Sequence, residues 1–378
     1  MKMPIYLDYN ATTPIAPEVA AAIRPWLETD FGNPSSSHAY GQRAHAAVAK
    51  ARVAVAALIG ANAEEIVFTG NATEANNLAL LGVARALPAR QHMIVSAVEH
   101  PAVMQPALHL RELGWDVTVV DVDATGRVDP AVVAAALRPH TALVSVMLAN
   151  NEVGTIQPIA EVAALARANG SLMHTDAAQA AGKLPVNVDA LGVDLLTLVF
   201  HKFYGPKGIG SLYVRQGTAL KSILFGAGQE HGLRPGTENV ALIVGAGETT
   251  RLARERLPQI TQHLNAMREQ LWQRLSVGVP GLLLNGHPEH RLPNTLHVSF
   301  PGISGRDLLA AAEASVAASV GSACHSHGDA VSGVLAAMGC SAERARGAVR
   351  LSVGRETSAE DIERAAAALI SAWRKLVE

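Results

Sequence analysis

The stretch LVFHKFYGPKGIGSLYVR, residues 198–215, closes an apolar run, breaks at a Gly-Pro turn and resumes as an alternating strand. Gly205, Pro206, Gly208 and Gly210 punctuate it, which predicts a strand, a tight turn and a hairpin-like return strand. Lys202 stands where the apolar run ends. A lysine at the end of a buried strand has an environment that favours the neutral amine needed for Schiff-base chemistry. A salt-bridged structural lysine is the alternative.

Working outward, short β-branched runs alternate with Ala-rich stretches of helical period. EIVF precedes ATEANNLALLGVARAL, HMIVSA precedes PAVMQPALHLREL, DVTVVDV precedes DPAVVAAAL, and ALVSVMLA precedes IAEVAALARANG; LMHTDAA and DLLTLV follow. This alternation predicts an α/β fold with a mostly parallel sheet flanked by helices. The strands are apolar throughout, as strands covered on both faces must be. A long helix over roughly 238–275 leads to a smaller α+β unit containing TLHVSF, GRDLLAAAE, AVRLSVG and a last helix near 358–376. The expected division is a large domain over 15–255 and a small one over 1–14 and 256–378.

The 378 residues are 49% hydrophobic and 17% charged, with 31 basic against 33 acidic side chains and a formal charge of −2. No basic run is long enough to follow a phosphate backbone, so nucleic acid is not expected as a partner. No apolar segment reaches the ~20 residues that span a bilayer. The opening MKMPIYLDYN lacks the core of a signal peptide, and a cytoplasmic location is expected. Two cysteines, Cys324 and Cys340, do not make a disulfide framework.

Ligands in such sheets gather at the carboxyl ends of strands. After EIVF, TGNATEANN opens a helix near Ala72 and Thr73, where backbone N–H groups and a hydroxyl suit phosphate; an ordinary helix cap is the plainer reading. After LMHT comes Asp176, followed by Gln179. An acid there caps a helix, binds a metal with His174, or faces a protonated ring nitrogen; strand neighbours two apart share a face. Together, a phosphate cradle, an acid about a hundred residues on and a lysine 26 residues after it are what a pyridoxal phosphate enzyme requires.

These residues also carry a resemblance. YLDYNATTP, FGNPSSSHAYG, FTGNATEANN, EHPAV, NNEVGTIQPI, HTDAAQAAGK, HKFYGPKGIG, RPGTEN, GSACHS and RLSVGR resemble, in order from residue 6 to 355, the cysteine desulfurases of the class V aminotransferase group. Within it, DYNATTP, HKFYGP, RPGTEN and ASVGSACHS are most similar to selenocysteine lyase. The resemblance implies fold type I of the pyridoxal phosphate enzymes, with a seven-stranded-type sheet in the large domain and the catalytic cysteine on a loop of the small one. It implies that Lys202 bonds the cofactor aldehyde, Asp176 pairs with the pyridine nitrogen, and Gln179 and Asn151 contact its 3-oxygen region. His100 would stack on the ring and handle protons, Ala72, Thr73 and His201 would hold the phosphate, and Thr237 would reach the phosphate of a neighbouring subunit in a homodimer. Arg350, Asn151 and Asn10 would bind the substrate, Arg350 gripping its carboxylate by a guanidinium fork. Arg355 is given a structural role. No metal is assigned.

Cys324 sits in the small, polar segment VGSACHSHGDAVSG, which predicts an exposed loop, with His325 and His327 beside it to raise its thiolate fraction. A zinc site from these three lacks a distal ligand pair. Cys340 follows an apolar helical stretch and reads as inert. The resemblance makes Cys324 the sulfur acceptor: L-cysteine becomes L-alanine and Cys324 a persulfide. L-Selenocysteine is the alternative substrate, and a sulfur- or selenium-acceptor protein the downstream partner. Two positions depart from the family: Val199 replaces a phosphate-binding serine and Phe200 a small residue. The rivals are another enzyme of this cofactor class, with Cys324 incidental, and a sulfur-relay scaffold without catalysis.

Overall fold

A computed structural model of the chain describes residues 3–321 and 332–378. Cys324, His325 and His327 lie outside the described residues.

Seven strands form the central sheet, in the order Ile66–Thr69, Gly210–Val214, Leu195–Val199, Leu172–Asp176, Thr141–Ser145, His92–Ser96, Asp116–Val120. All neighbours are parallel except Gly210–Val214, which runs antiparallel to both of its partners. That strand is the return predicted after the lysine turn. Its register puts Gly210 opposite both Thr69 and Val199. A Cβ on Gly210 would lie 2.6 Å from the backbone carbon of Asn71, so only glycine lets the return strand pass under the helix start at Ala72.

Helix Val240–Gly278 links the core of the large sheet to a second packing cluster. Ile243, Ala246 and Ala253 bury against the sheet, whereas Leu264, Met267, Leu271 and Leu275 join Leu7, Leu296, Val298, Leu351 and Leu369. The second cluster is built on a three-stranded antiparallel sheet, with Thr295–Ser299 between Leu283–Asn285 and Ala348–Ser352, and on helix Ala359–Val377. Ser358 starts that helix with a capping box to Asp361. The N-terminal strand Ile5–Tyr6 pairs with Val316–Ala317. The chain then crosses back towards the large sheet, where Thr13 N–H donates to the His201 carbonyl at 3.0 Å.

Phe200, the bulky departure in the lysine turn, has a packing explanation. It is fully buried in the main core, its ring 5.8 Å from that of Phe203. Truncating a side chain of that size costs about 3–5 kcal/mol, so Phe200 anchors the Phe200–Lys202 turn from below.

Three histidines are held neutral inside the fold. His174 sits between the Ser145 and Thr197 hydroxyls and His92 between those of Thr141 and Thr118. Burial pushes His174 and His297 down to about 3 and His92 to about 4. Their unfolded counterparts protonate near 6.5. The unfolded state therefore binds more protons below that value, and stability present at neutral pH is lost as the pH falls from about 6.5 towards 3. Glu99, raised to about 8 by burial, acts in the opposite direction. The histidines outnumber Glu99, His201 adding to the three at about 4, so the thermal midpoint of the cofactor-free protein is expected to drop by about 5 °C or more between pH 7 and pH 5. A midpoint that holds or rises would contradict the burial of neutral histidines.

Candidate active site

A cavity of about 260 Å³ opens where the strand ends of the large sheet meet the N-terminal segment and the Ala348–Ser352 strand. Ala72 and Thr73 line it from the first turn of helix Ala72–Ala86. This start is set by Asn71, whose side chain accepts from Glu74 N–H at 2.8 Å, so the helix cap is real and the free N–H groups around it still face the cavity. The cap and phosphate readings are thus compatible.

Asp176 ends its strand and is 5% exposed. One carboxylate oxygen accepts from Asn76 Nδ2 at 2.7 Å and the other from Ala178 N–H at 2.9 Å. These bonds fix the carboxylate at the cavity wall. The metal alternative fails on geometry, because His174 spends both ring nitrogens on hydroxyls inside the sheet. Among the described residues no group of three His, Cys, Asp or Glu could hold a metal.

Lys202 ends the turn after Leu195–Val199, and its Nζ donates to the carbonyls of Asn10 and Ala11, both at 2.8 Å. The N-terminal segment is thus laid directly over the lysine. Thr13 secures it, its hydroxyl accepting from Tyr204 N–H at 2.7 Å, and Tyr204 takes a left-handed φ of 73° there. His201 also lines the cavity. Its Nδ1 lies 3.1 Å from the Thr12 hydroxyl, and burial, then Lys202, holds its pKa down at about 4. A neutral ring whose Nδ1 accepts from Thr12 carries its proton on Nε2, a donor suited to an anion.

His100 caps helix Pro101–Glu112. The residue before a proline is kept extended, and His100 is, with ψ 149°. Its Nδ1 accepts from Ala102 N–H at 3.0 Å, which puts the proton of the neutral ring on Nε2. Burial lowers its pKa, Asp176 opposes this and Lys202 adds to it.

Arg350 enters from the small sheet, 2% exposed. One terminal nitrogen donates to the Asn151 carbonyl at 3.0 Å and the other to Asp8 at 2.8 Å, while Nε has no hydrogen-bond partner among the described residues. Asn10 ties these parts together. Its side chain donates to Thr295 Oγ1 and the Asn151 carbonyl, and its carbonyl accepts from Gln179 Nε2 at 3.0 Å as well as from Lys202.

The cavity therefore gathers Asn10, Ala72, Thr73, His100, Asn151 and Asp176 with Gln179, His201, Lys202 and Arg350. Val199 lines it too, as an apolar wall. Thr237 does not; it is exposed in the segment leading into helix Val240–Gly278. Sequence reasoning missed the partners: Asn76 for Asp176, Asp8 for Arg350, and Lys183 for Gln179. Asp8 and Asn76 lie within motifs already singled out, and no rule of spacing marks them as partners.

The residues fit pyridoxal phosphate. A helix start with N–H groups free for phosphate, a strand-end carboxylate, an amine and a partly unpaired guanidinium share one cavity, and Gly210 keeps clear the backbone at the cradle.

A family model described as Aminotransferase class-V matches residues 5–365. The Cysteine desulfurase IscS of Dictyoglomus turgidum is 44% identical over 364 residues, covering 96% of this chain and 92% of that one. Among solved structures, a NifS-like protein superposes with a TM-score of 0.91 at 35% identity, over 98% of this chain and 99% of its own. SspA in complex with cysteine gives a TM-score of 0.83 at 36% identity, over 92% of this chain and 98% of its own.

Proposed function

The chain belongs to the class-V aminotransferase family, and on that premise we propose how it works as a pyridoxal phosphate-dependent cysteine desulfurase. The observation that carries the site reading is the meeting of Lys202, Asp176, the Ala72 helix start and Arg350 around one cavity.

Bound there, the cofactor supplies an aldehyde that takes up amines and a ring that accepts the electron pair left when Cα loses its proton. Lys202 would hold the cofactor at its aldehyde and, once released, its Nζ would take the Cα proton of the substrate. Ala72 N–H, the Thr73 hydroxyl and His201 Nε2 hold the phosphate, with Val199 giving apolar contact where the family often has a hydroxyl. Asp176 keeps the ring nitrogen protonated, and Asn76 and Ala178 N–H hold that carboxylate in place. His100 would contact the ring and offer its Nε2 proton, and Gln179 and Asn151 would bind on the side of the ring oxygen. Arg350 and Asn10 orient the substrate carboxylate, Arg350 through the N–H groups that Asp8 and Asn151 leave free.

Cys324 Sγ then takes the substrate sulfur. One S–S bond forms and one C–S bond breaks, so that L-cysteine and a thiol give L-alanine and a persulfide. A thiolate on an acceptor protein then attacks the outer sulfur of the persulfide: one S–S bond forms, the other breaks, and Cys324 leaves as its thiolate.

The small domain, residues 1–14 and 256–378, brings Arg350 to the large domain, 15–255, and carries Cys324 in its sequence. Thr237 serves the phosphate of a second copy in a homodimer. Its segment is pinned beside the cradle: Arg52 grips Glu230 at 2.6 and 2.7 Å, Glu230 accepts from Phe68 N–H, and Arg234 pairs with Glu74. Exposed Phe31 and Phe225 suit a buried assembly face. No helix among the described residues is long and apolar enough to cross a membrane, and we place the enzyme in the cytoplasm.

The named relative is a cysteine desulfurase, which favours cysteine over selenocysteine. Cofactor-loaded protein is expected to form L-alanine from L-cysteine. Alanine from L-selenocysteine alone would make it a lyase, and alanine from neither would overturn the function.

A further inference from the structure

Lys183 is 4% exposed, at the end of the TDAAQAAGK turn. Its Nζ donates to Gln179 Oε1 at 2.8 Å. The turn that sends it inward is tightly held. Gly182 has a φ of 74°, and a Cβ there would come within 2.6 Å of Phe203. Lys183 N–H donates to the Ala180 carbonyl, and Thr261 on the long helix donates to the Lys183 carbonyl at 2.8 Å.

The charged groups facing this amine are Lys202 and Arg350, both cations. Burial, then these two, lowers its pKa well below the usual lysine value. A buried amine is an expensive way to fill space, and its hydrogen bond shows what it does here. The amide of Gln179 can turn either way, and here its oxygen edge takes the Lys183 donor. That choice aims Nε2 at the other side, where it donates to the Asn10 carbonyl that also accepts from Lys202.

We propose that Lys183 is a positioning residue that fixes the amide of Gln179 with its N–H₂ edge towards the Lys202 side of the cavity, ready to donate to the cofactor. The inference rests on the cofactor reading above and goes beyond it, because Lys183 itself does not line the cavity.

The test compares wild type with Lys183→Met, Lys183→Gln, Gln179→Ala and the Lys183→Met, Gln179→Ala double variant. Two quantities are read: the dissociation constant for pyridoxal phosphate and the pH midpoint of the visible band of the bound cofactor. Lys183→Met is expected to weaken cofactor binding about tenfold and to move the midpoint, while Lys183→Gln, which keeps a neutral donor, recovers most of both. Gln179→Ala reproduces the effect, and the double variant is no worse than Gln179→Ala alone. Wild-type values for Lys183→Met, additive losses in the double variant, or a Gln179→Ala without effect would each overturn the proposal. If Lys183→Met fails to fold, Lys183→Leu takes its place with the same expected loss, and wild-type values there overturn the proposal. Wild-type protein that binds no cofactor at all would instead sink the cofactor reading.

Discussion

Lys202→Ala is expected to lower L-alanine formation from L-cysteine by about 10,000-fold or more, since it removes both the covalent anchor and the base for the Cα proton. The fold should survive. Nζ is bonded to the Asn10 and Ala11 carbonyls, and Asn10 keeps its bond from Gln179 and its side-chain links to Thr295 and Asn151. The residues proposed for the phosphate, ring nitrogen and carboxylate remain, so the variant is expected still to take up cofactor, without the absorbance of the lysine-bonded form. Lys202→Arg gives no rescue, because a guanidinium stays protonated and cannot act as the nucleophile. Residual activity above about 1% of wild type, far more than a lost nucleophile leaves, would mean that another amine does the work.

The second large effect is at Cys324. Cys324→Ala is expected to reduce alanine formation from L-cysteine by about 1,000-fold or more while leaving cofactor uptake intact, because the sulfur then has no acceptor. The described residues on either side of its segment support this role. Ser332 donates through its hydroxyl to Glu152, and a Cβ on Gly321 would lie 3.3 Å from the same carboxylate. Glu152 is buried beside Asn151, which lines the cavity. Both flanking residues thus meet at Glu152, the sequence neighbour of a cavity-lining residue. Wild-type alanine formation by Cys324→Ala would favour an enzyme of the same cofactor class for which this thiol is incidental.

The alternation of apolar runs and helical stretches was readable because both kinds of element are long and periodic. It led to the parallel sheet, the antiparallel return strand after Lys202 and the long helix, observed as Val240–Gly278 against an expected 238–275. The strand-end rule then led to Asp176, Lys202 and the Ala72 helix start before any contact was visible. What stayed hidden was pairing across long separations. Nothing in the spacing ties Asp8 to Arg350, 342 residues apart, or Asn10 to Thr295, 285 apart. Burial was equally silent: His174 sits in the Asp176 motif with the composition of a ligand, and only its two hydroxyl partners show it to be core. Phe200 read as a misfit in a phosphate cradle until its ring was seen to point into the main core instead.

The most direct test of the account follows the sulfur atom. Cofactor-loaded protein receives one equivalent of L-cysteine without added reductant; L-alanine is measured, and the intact chain is weighed and mapped. The account predicts alanine in step with one extra sulfur on Cys324, and neither in Lys202→Ala. Alanine without sulfur on Cys324, or sulfur mapped to Cys340, would contradict it.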